Sequence, residues 1–140
     1  MEPDVFDALN ELTGKFRARL HQSPALQEFR LTGYQARLLF LAARNPGWSQ
    51  QMLAVATERD KAQVARALKD LEARGLVTRS VQATDIRAHG VVVTEEGLQV
   101  ARRLYEGRRV IAEAVLATLT PAEQEVLGRL VHRLLSTLAA

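Results

Sequence analysis

Capping residues cut this chain into short helices. Thr32, Ser49, Asp60, Thr94 and Thr120 each stand before a run in which apolar residues recur every three or four positions. At such a place a Ser, Thr or Asp side chain accepts a hydrogen bond from an orphaned backbone N–H of the first turn, so the residue type marks a helix start. Thr32 has Gln35 three residues on, the spacing of a reciprocal capping box. Thr120-Pro121-Ala122-Glu123 combines a capping Thr, a Pro at the first helical position and a Glu at the third.

Apolar spacing fills in the elements. Val5, Leu9, Leu12, Phe16 and Leu20 make one helical stripe, and Ser23-Pro24 then breaks the pattern. The Thr32 helix stops at Asn45-Pro46-Gly47. Ser49 opens a short helix with Met52, Leu53 and Val55. Asp60, with Gln63 at the third helical position, opens another, whose stripe is Val64, Ala67, Leu68 and Leu71 and which closes at Gly75. Leu76 to Val81 and Gly90 to Thr94 are β-branched runs around a polar stretch, Gln82 to His89, which predicts a hairpin with a long tip. Thr94-Glu95-Glu96 begins a long helix through Leu98, Ala101, Leu104, Tyr105, Ile111, Val115 and Leu119. The last helix carries Val126, Leu127, Leu130, Val131, Leu134, Leu135 and Leu138. The predicted order is four helices, a hairpin and two helices: a mainly α fold with a small β-hairpin wing.

The terminal stripes are too wide for one small domain to bury together with a central core, so they predict a partner surface, supplied by a second copy in a C2 homodimer. The expected interface is Val5, Leu9, Leu12 and Phe16 near one end and Leu127, Leu130, Val131, Leu134, Leu135 and Leu138 near the other.

Composition removes several classes. The chain has 140 residues and no cysteine, so thiolate metal sites and thiol redox switches are excluded. The longest apolar run, Leu38 to Ala43, is far short of the roughly 20 residues of a membrane span. Met-Glu-Pro-Asp at the start has neither the basic nor the apolar segment of a signal peptide, and a cytoplasmic protein is expected. His21, His89 and His132 lie outside metal-ligand spacing. No nucleophile elbow, P-loop or dinucleotide fingerprint occurs, so no enzyme, cofactor or metal is expected.

Charge has a location. Residues 1–58 and 88–140 are each balanced, and residues 59–87 hold the whole net charge of +3. That segment is the second of two short helices joined by a tight turn, followed by the hairpin, which is the layout of a winged helix-turn-helix. Its second helix would enter the DNA major groove. Opposite the apolar stripe it carries Lys61, Ala62, Gln63, Arg66 and Lys69. Gln can pair with adenine and Arg with guanine through two hydrogen bonds each.

Several segments together carry a resemblance. Leu53-Ala54, then Val64, Arg66 and Leu68, then Leu71-Glu72-Ala73-Arg74-Gly75-Leu76-Val77, then Asp85-Ile86-Arg87, then Val93-Thr94-Glu95-Glu96-Gly97 resemble the MarR family of transcriptional regulators. The likeness is strongest from Leu53 to Gly97, and the helix order extends it over 1–140 as a single domain. It implies a DNA-binding lobe over 32–94 and dimerisation helices over 4–21 and 95–138. It further implies a homodimeric, sequence-specific regulator of double-stranded DNA, a repressor on a palindromic operator. Arg87 matches the wing arginine that enters the minor groove, and Asp85 the carboxylate that steadies it. Ser49, Arg59 and Arg79 are candidate phosphate contacts, whereas Arg74 suits the C-terminal end of its helix. Asp60 and Ala62 depart from the Ser and Thr common at the start of this helix, so no operator sequence is carried over.

Regulators of this kind often release DNA when a small aromatic or phenolic anion binds between the dimer helices and the DNA-binding lobe. Arg17, His21, Tyr34, Arg37 and Trp48 are the candidate pocket residues, Arg17 and His21 being one turn apart. The rival reading is a winged helix that binds protein rather than DNA. Asp85 and Arg87 together at the tip, beside the Gln63-Arg66-Lys69 face, argue against it.

Overall fold

In the computed structural model the elements run α1 (Val5–His21), α2 (Pro24–Phe29), α3 (Gly33–Arg44), α4 (Gln50–Thr57), α5 (Lys61–Ala73), β1 (Val77–Val81), β2 (His89–Val93), α6 (Glu95–Leu116) and α7 (Pro121–Leu138). The structure describes residues 1–81 and 89–139, and of Ser80, Val81 and His89 the backbone alone. Asp85 and Arg87 lie outside the described residues.

Each predicted cap is made. Thr32 Oγ1 accepts from the Gln35 N–H at 3.1 Å while Gln35 Oε1 accepts from the Thr32 N–H at 2.9 Å. Thr120 and Glu123 repeat the arrangement at 3.1 and 2.9 Å. Ser49, Asp60 and Thr94 accept from the backbone of Met52, Gln63 and Gly97 at 3.2, 2.8 and 3.0 Å. α1 has a box that the sequence reading passed over, Asp4 with Asp7, because its third position holds Asp rather than Glu or Gln.

The element order differs in one place. Ser23-Pro24 does not merely break the chain: Pro24 occupies the first turn of α2, where its missing N–H would have no partner in any case. Six residues are too few for a periodic signal. Arg30 closes α2 in the left-handed region at φ 52°.

The largest fully buried side chains are Leu38 and Leu39 of α3, Leu53 of α4, Val64, Leu68 and Leu71 of α5, Val77 of β1 and Val91 of β2. The core therefore sits inside the helix-turn-helix and its wing, closed on one side by Val100, Ala101 and Leu104 of α6. β1 and β2 pair antiparallel, Val77 opposite Val93 and Arg79 opposite Val91. The loop before α4 adds to this sheet: the Val91 N–H donates to the Trp48 carbonyl at 2.8 Å, and Gly47 N–H to the Val91 carbonyl at 3.2 Å. α1 and α7 carry no buried residue.

Candidate nucleic-acid interface and ligand cavity

α5 is anchored by one face and free on the other. Val64, Leu68 and Leu71 are fully buried, each contributing about 2 kcal/mol of burial. That stripe turns Lys61, Ala62, Arg66 and Lys69 outward, where they are exposed, while Gln63 is half-buried. Among the described residues no carboxylate pairs with Lys61, Arg66 or Lys69. The acidic residues on the same helix are engaged elsewhere. Asp70 binds Arg74 at 3.0 Å and accepts from Gln35 Nε2 at 2.5 Å. Glu72 binds Arg79 at 3.1 Å. The outward face thus presents three cations that no described carboxylate neutralises.

A network holds this helix in register with the rest. Gln35, buried, caps α3 with one amide atom and reaches Asp70 with the other. Arg74 spans from Asp70 to the Phe29 carbonyl, to which it donates at 2.9 Å. At the far end, Gly75 takes φ +75°, which suits glycine, and its carbonyl accepts from Thr94 Oγ1 at 2.6 Å.

The candidate phosphate contacts fall in different settings. Ser49 caps α4, and its backbone bridges to Gly90. Arg79, on β1, is held by Glu72 and by Gln50 Oε1 at 3.0 Å. Arg59 lies over the Tyr34 ring, its guanidinium carbon 4.7 Å from the centroid.

Arg59 and Tyr34 belong to a cavity of about 630 Å³ between α1, α3, α6 and the turn before α5. Of the candidate pocket residues, Arg17, His21, Tyr34 and Arg37 line it together. Trp48 is not among its lining residues; its backbone is paired with β2 instead. The sequence reading missed Arg44, Arg108, Tyr105 and Phe16 as cavity residues, and took Arg59 for a phosphate contact only. One signal was available: Tyr34, Arg37, Leu41 and Arg44 recur at intervals of three, four and three on one face of α3.

The cavity's chemistry is one-sided. Arg17, Arg37, Arg44, Arg59, Arg108 and His21 line it, with no carboxylate among the described lining residues. None of these arginines forms an ion pair with a described residue. Four of them rest on rings or backbone: Arg59 on Tyr34, Arg44 and Arg108 each 5.7 Å from the Tyr105 centroid, Arg108 also 5.6 Å from that of Phe16, and Arg37 donating to the Ala56 carbonyl at 3.5 Å. Tyr34 ties the cavity to α4, its hydroxyl 3.1 Å from Thr57 Oγ1.

Two short helices with a hairpin wing, the second helix anchored on one face and cationic on the other, define a winged helix-turn-helix protein. The sequence model of the MarR family matches residues 31–88. The transcriptional regulator HosA of Escherichia coli (strain E2348/69) is 32% identical over 134 residues, covering 95% of this chain and 96% of that protein. The chain belongs to the MarR family of transcriptional regulators, which are not enzymes. A MarR family regulator from Silicibacter pomeroyi superposes with a TM-score of 0.85 at 23% identity, covering 96% of this chain and 89% of that one. A MarR family protein of Mycobacterium tuberculosis, solved in complex with salicylic acid, superposes with a TM-score of 0.75 at 25% identity, covering 95% and 97%.

Proposed function

We propose that this protein is a homodimeric repressor that binds a palindromic double-stranded DNA operator and is released by a small aromatic anion. The observation that carries the DNA reading is the outward face of α5. Lys61, Arg66 and Lys69 are exposed and unpaired among the described residues, while Asp70 and Glu72 are occupied by Arg74 and Arg79. A helix presented this way suits the major groove, with Arg66 and Gln63 toward base edges and Lys61 and Lys69 toward phosphates. Asp85 and Arg87 would serve the wing contact in the minor groove. In a C2 dimer the two recognition helices would meet successive major grooves roughly 34 Å apart.

The ligand reading draws support from the cavity's arginines, which form no ion pair among the described residues, from its apolar wall, and from the salicylic acid complex of the similar M. tuberculosis protein. Coupling to DNA follows from position. Arg59 directly precedes Asp60, the cap of α5, and stacks on Tyr34, which also bonds Thr57 at the end of α4. An anion that draws Arg59 away from Tyr34 would pull on the turn that sets the entry angle of the recognition helix.

Selection from a randomised duplex pool at two salt concentrations tests the DNA reading. The expected result is a palindrome with half-sites about one helical turn apart. Arg66→Ala should relax preference at one base pair, whereas Lys69→Ala should weaken all sequences alike and flatten the salt dependence. Binding that enriches no sequence would overturn the assignment.

A further inference from the structure

Four of the cavity's arginines gather at two ends of α3, while Arg17 and His21 line it from α1. Arg37 and Arg44 lie on the same face, seven residues apart, which separates them by about 10 Å along the helix axis at 1.5 Å per residue. Arg59, stacked over Tyr34, joins the Arg37 end, because Tyr34 is one turn before Arg37. Arg108 joins the Arg44 end, the two guanidinium groups sharing the Tyr105 ring at 5.7 Å each. Leu41 stands between the two ends on α3, and Leu20, Phe40 and Leu104 add apolar wall.

Each end therefore holds two like charges, and no described carboxylate pairs with any of the four. Such pairs repel, and a ligand acid at that end relieves the repulsion while accepting charge-assisted hydrogen bonds. An acid with one anionic group satisfies one end and leaves the other as it was. The volume, about 630 Å³, is that of a site for a ligand larger than a single ring.

We infer that the cavity takes an elongated dianion: a rigid apolar body with an acidic group at each end, one received by Arg37 and Arg59 and the other by Arg44 and Arg108. This rests on the reading of the cavity as the effector site, and it specifies which acids that site prefers.

Calorimetric titration of the full chain with three probes tests it: salicylate, biphenyl-4-carboxylate and biphenyl-4,4′-dicarboxylate. The dicarboxylate is expected to bind about ten-fold more tightly than its monocarboxylate, or more. That advantage should collapse to within about two-fold in Arg44→Gln/Arg108→Gln, and independently in Arg37→Gln/Arg59→Gln. Circular dichroism melts establish that both variants fold. A dicarboxylate no tighter than the monocarboxylate would overturn the inference, and so would an advantage that survives in both variants. In either case binding of salicylate or of the monocarboxylate would leave the effector-site reading standing. Failure of all three probes to bind would overturn both.

Discussion

Gly97 sets the start of α6 directly against the chain that leads from α5 into β1. A Cβ there would lie 2.1 Å from the Leu76 carbonyl oxygen and 2.7 Å from Val93 Cγ1. The first neighbour is backbone at the junction of α5 and β1, and it cannot move aside without disturbing the Thr94 N–H bond to the same carbonyl, 3.0 Å long. Gly97→Ala is expected to cost about 3 kcal/mol, read as a fall in the urea midpoint. Gly14→Ala is the counterpart. A Cβ at Gly14, inside α1, meets nothing within 4 Å, so the substitution should stabilise by up to about 1 kcal/mol through helix propensity. Tyr34→Phe should cost about 1 kcal/mol in the same melts. It removes the bond to Thr57 but leaves Thr57 Oγ1 donating to the Leu53 carbonyl at 2.7 Å, and leaves the ring under Arg59. These roles were not legible beforehand. The sequence places Gly97 at the end of a familiar run, but the reason for a glycine is a carbonyl far back in the chain.

Helix starts, by contrast, were legible because their causes are local. Thr32, Ser49, Asp60, Thr94 and Thr120 each bond a backbone N–H three residues on. α5 was legible for a related reason, since its buried and cationic faces follow one period within a single element. α2 was not, being short and entered through Pro24. The last cap also gives α7 a pH dependence. The Thr120 backbone N–H, and then its hydroxyl, hold the Glu123 carboxyl below the ordinary glutamate range. A lowered folded-state value means that the stabilisation is present above the unfolded carboxylate's range and is lost as pH falls through the folded value. Glu123→Gln retains an acceptor oxygen and cannot titrate. The stability gap between the parent and Glu123→Gln is therefore expected to narrow on acidification, as read by urea melts at neutral pH and at about pH 3.

At the scale of the whole molecule, sequence periodicity reaches its limit at the cavity. Arg37, Arg59, Arg44 and Arg108 come from α3, the turn before α5, and α6. No single-element pattern joins them, so only the α3 stripe could have been read ahead. The terminal stripes raise the complementary question, because the fold leaves them uncovered. Leu130, Leu134, Leu135 and Leu138 of α7 are 48, 44, 56 and 77% exposed, and Val5 and Leu12 of α1 are 68 and 50% exposed. Apolar helix faces left exposed in this way mark association surfaces, and burying each leucine would add about 1 to 2 kcal/mol. The largest fully buried side chains lie between Leu38 and Val91, so the winged helix-turn-helix should survive disruption of the terminal helices. Leu130→Glu combined with Leu134→Glu is therefore expected to give a folded monomer in sedimentation velocity, against a dimer for the parent. The same variant should bind a single half-site as the parent's lobe does, yet lose the gain in affinity from a second half-site one turn away. A parent that sediments as a monomer, or a variant that remains dimeric, would remove α7 from the interface and break the link between the uncovered leucines and recognition of a palindrome.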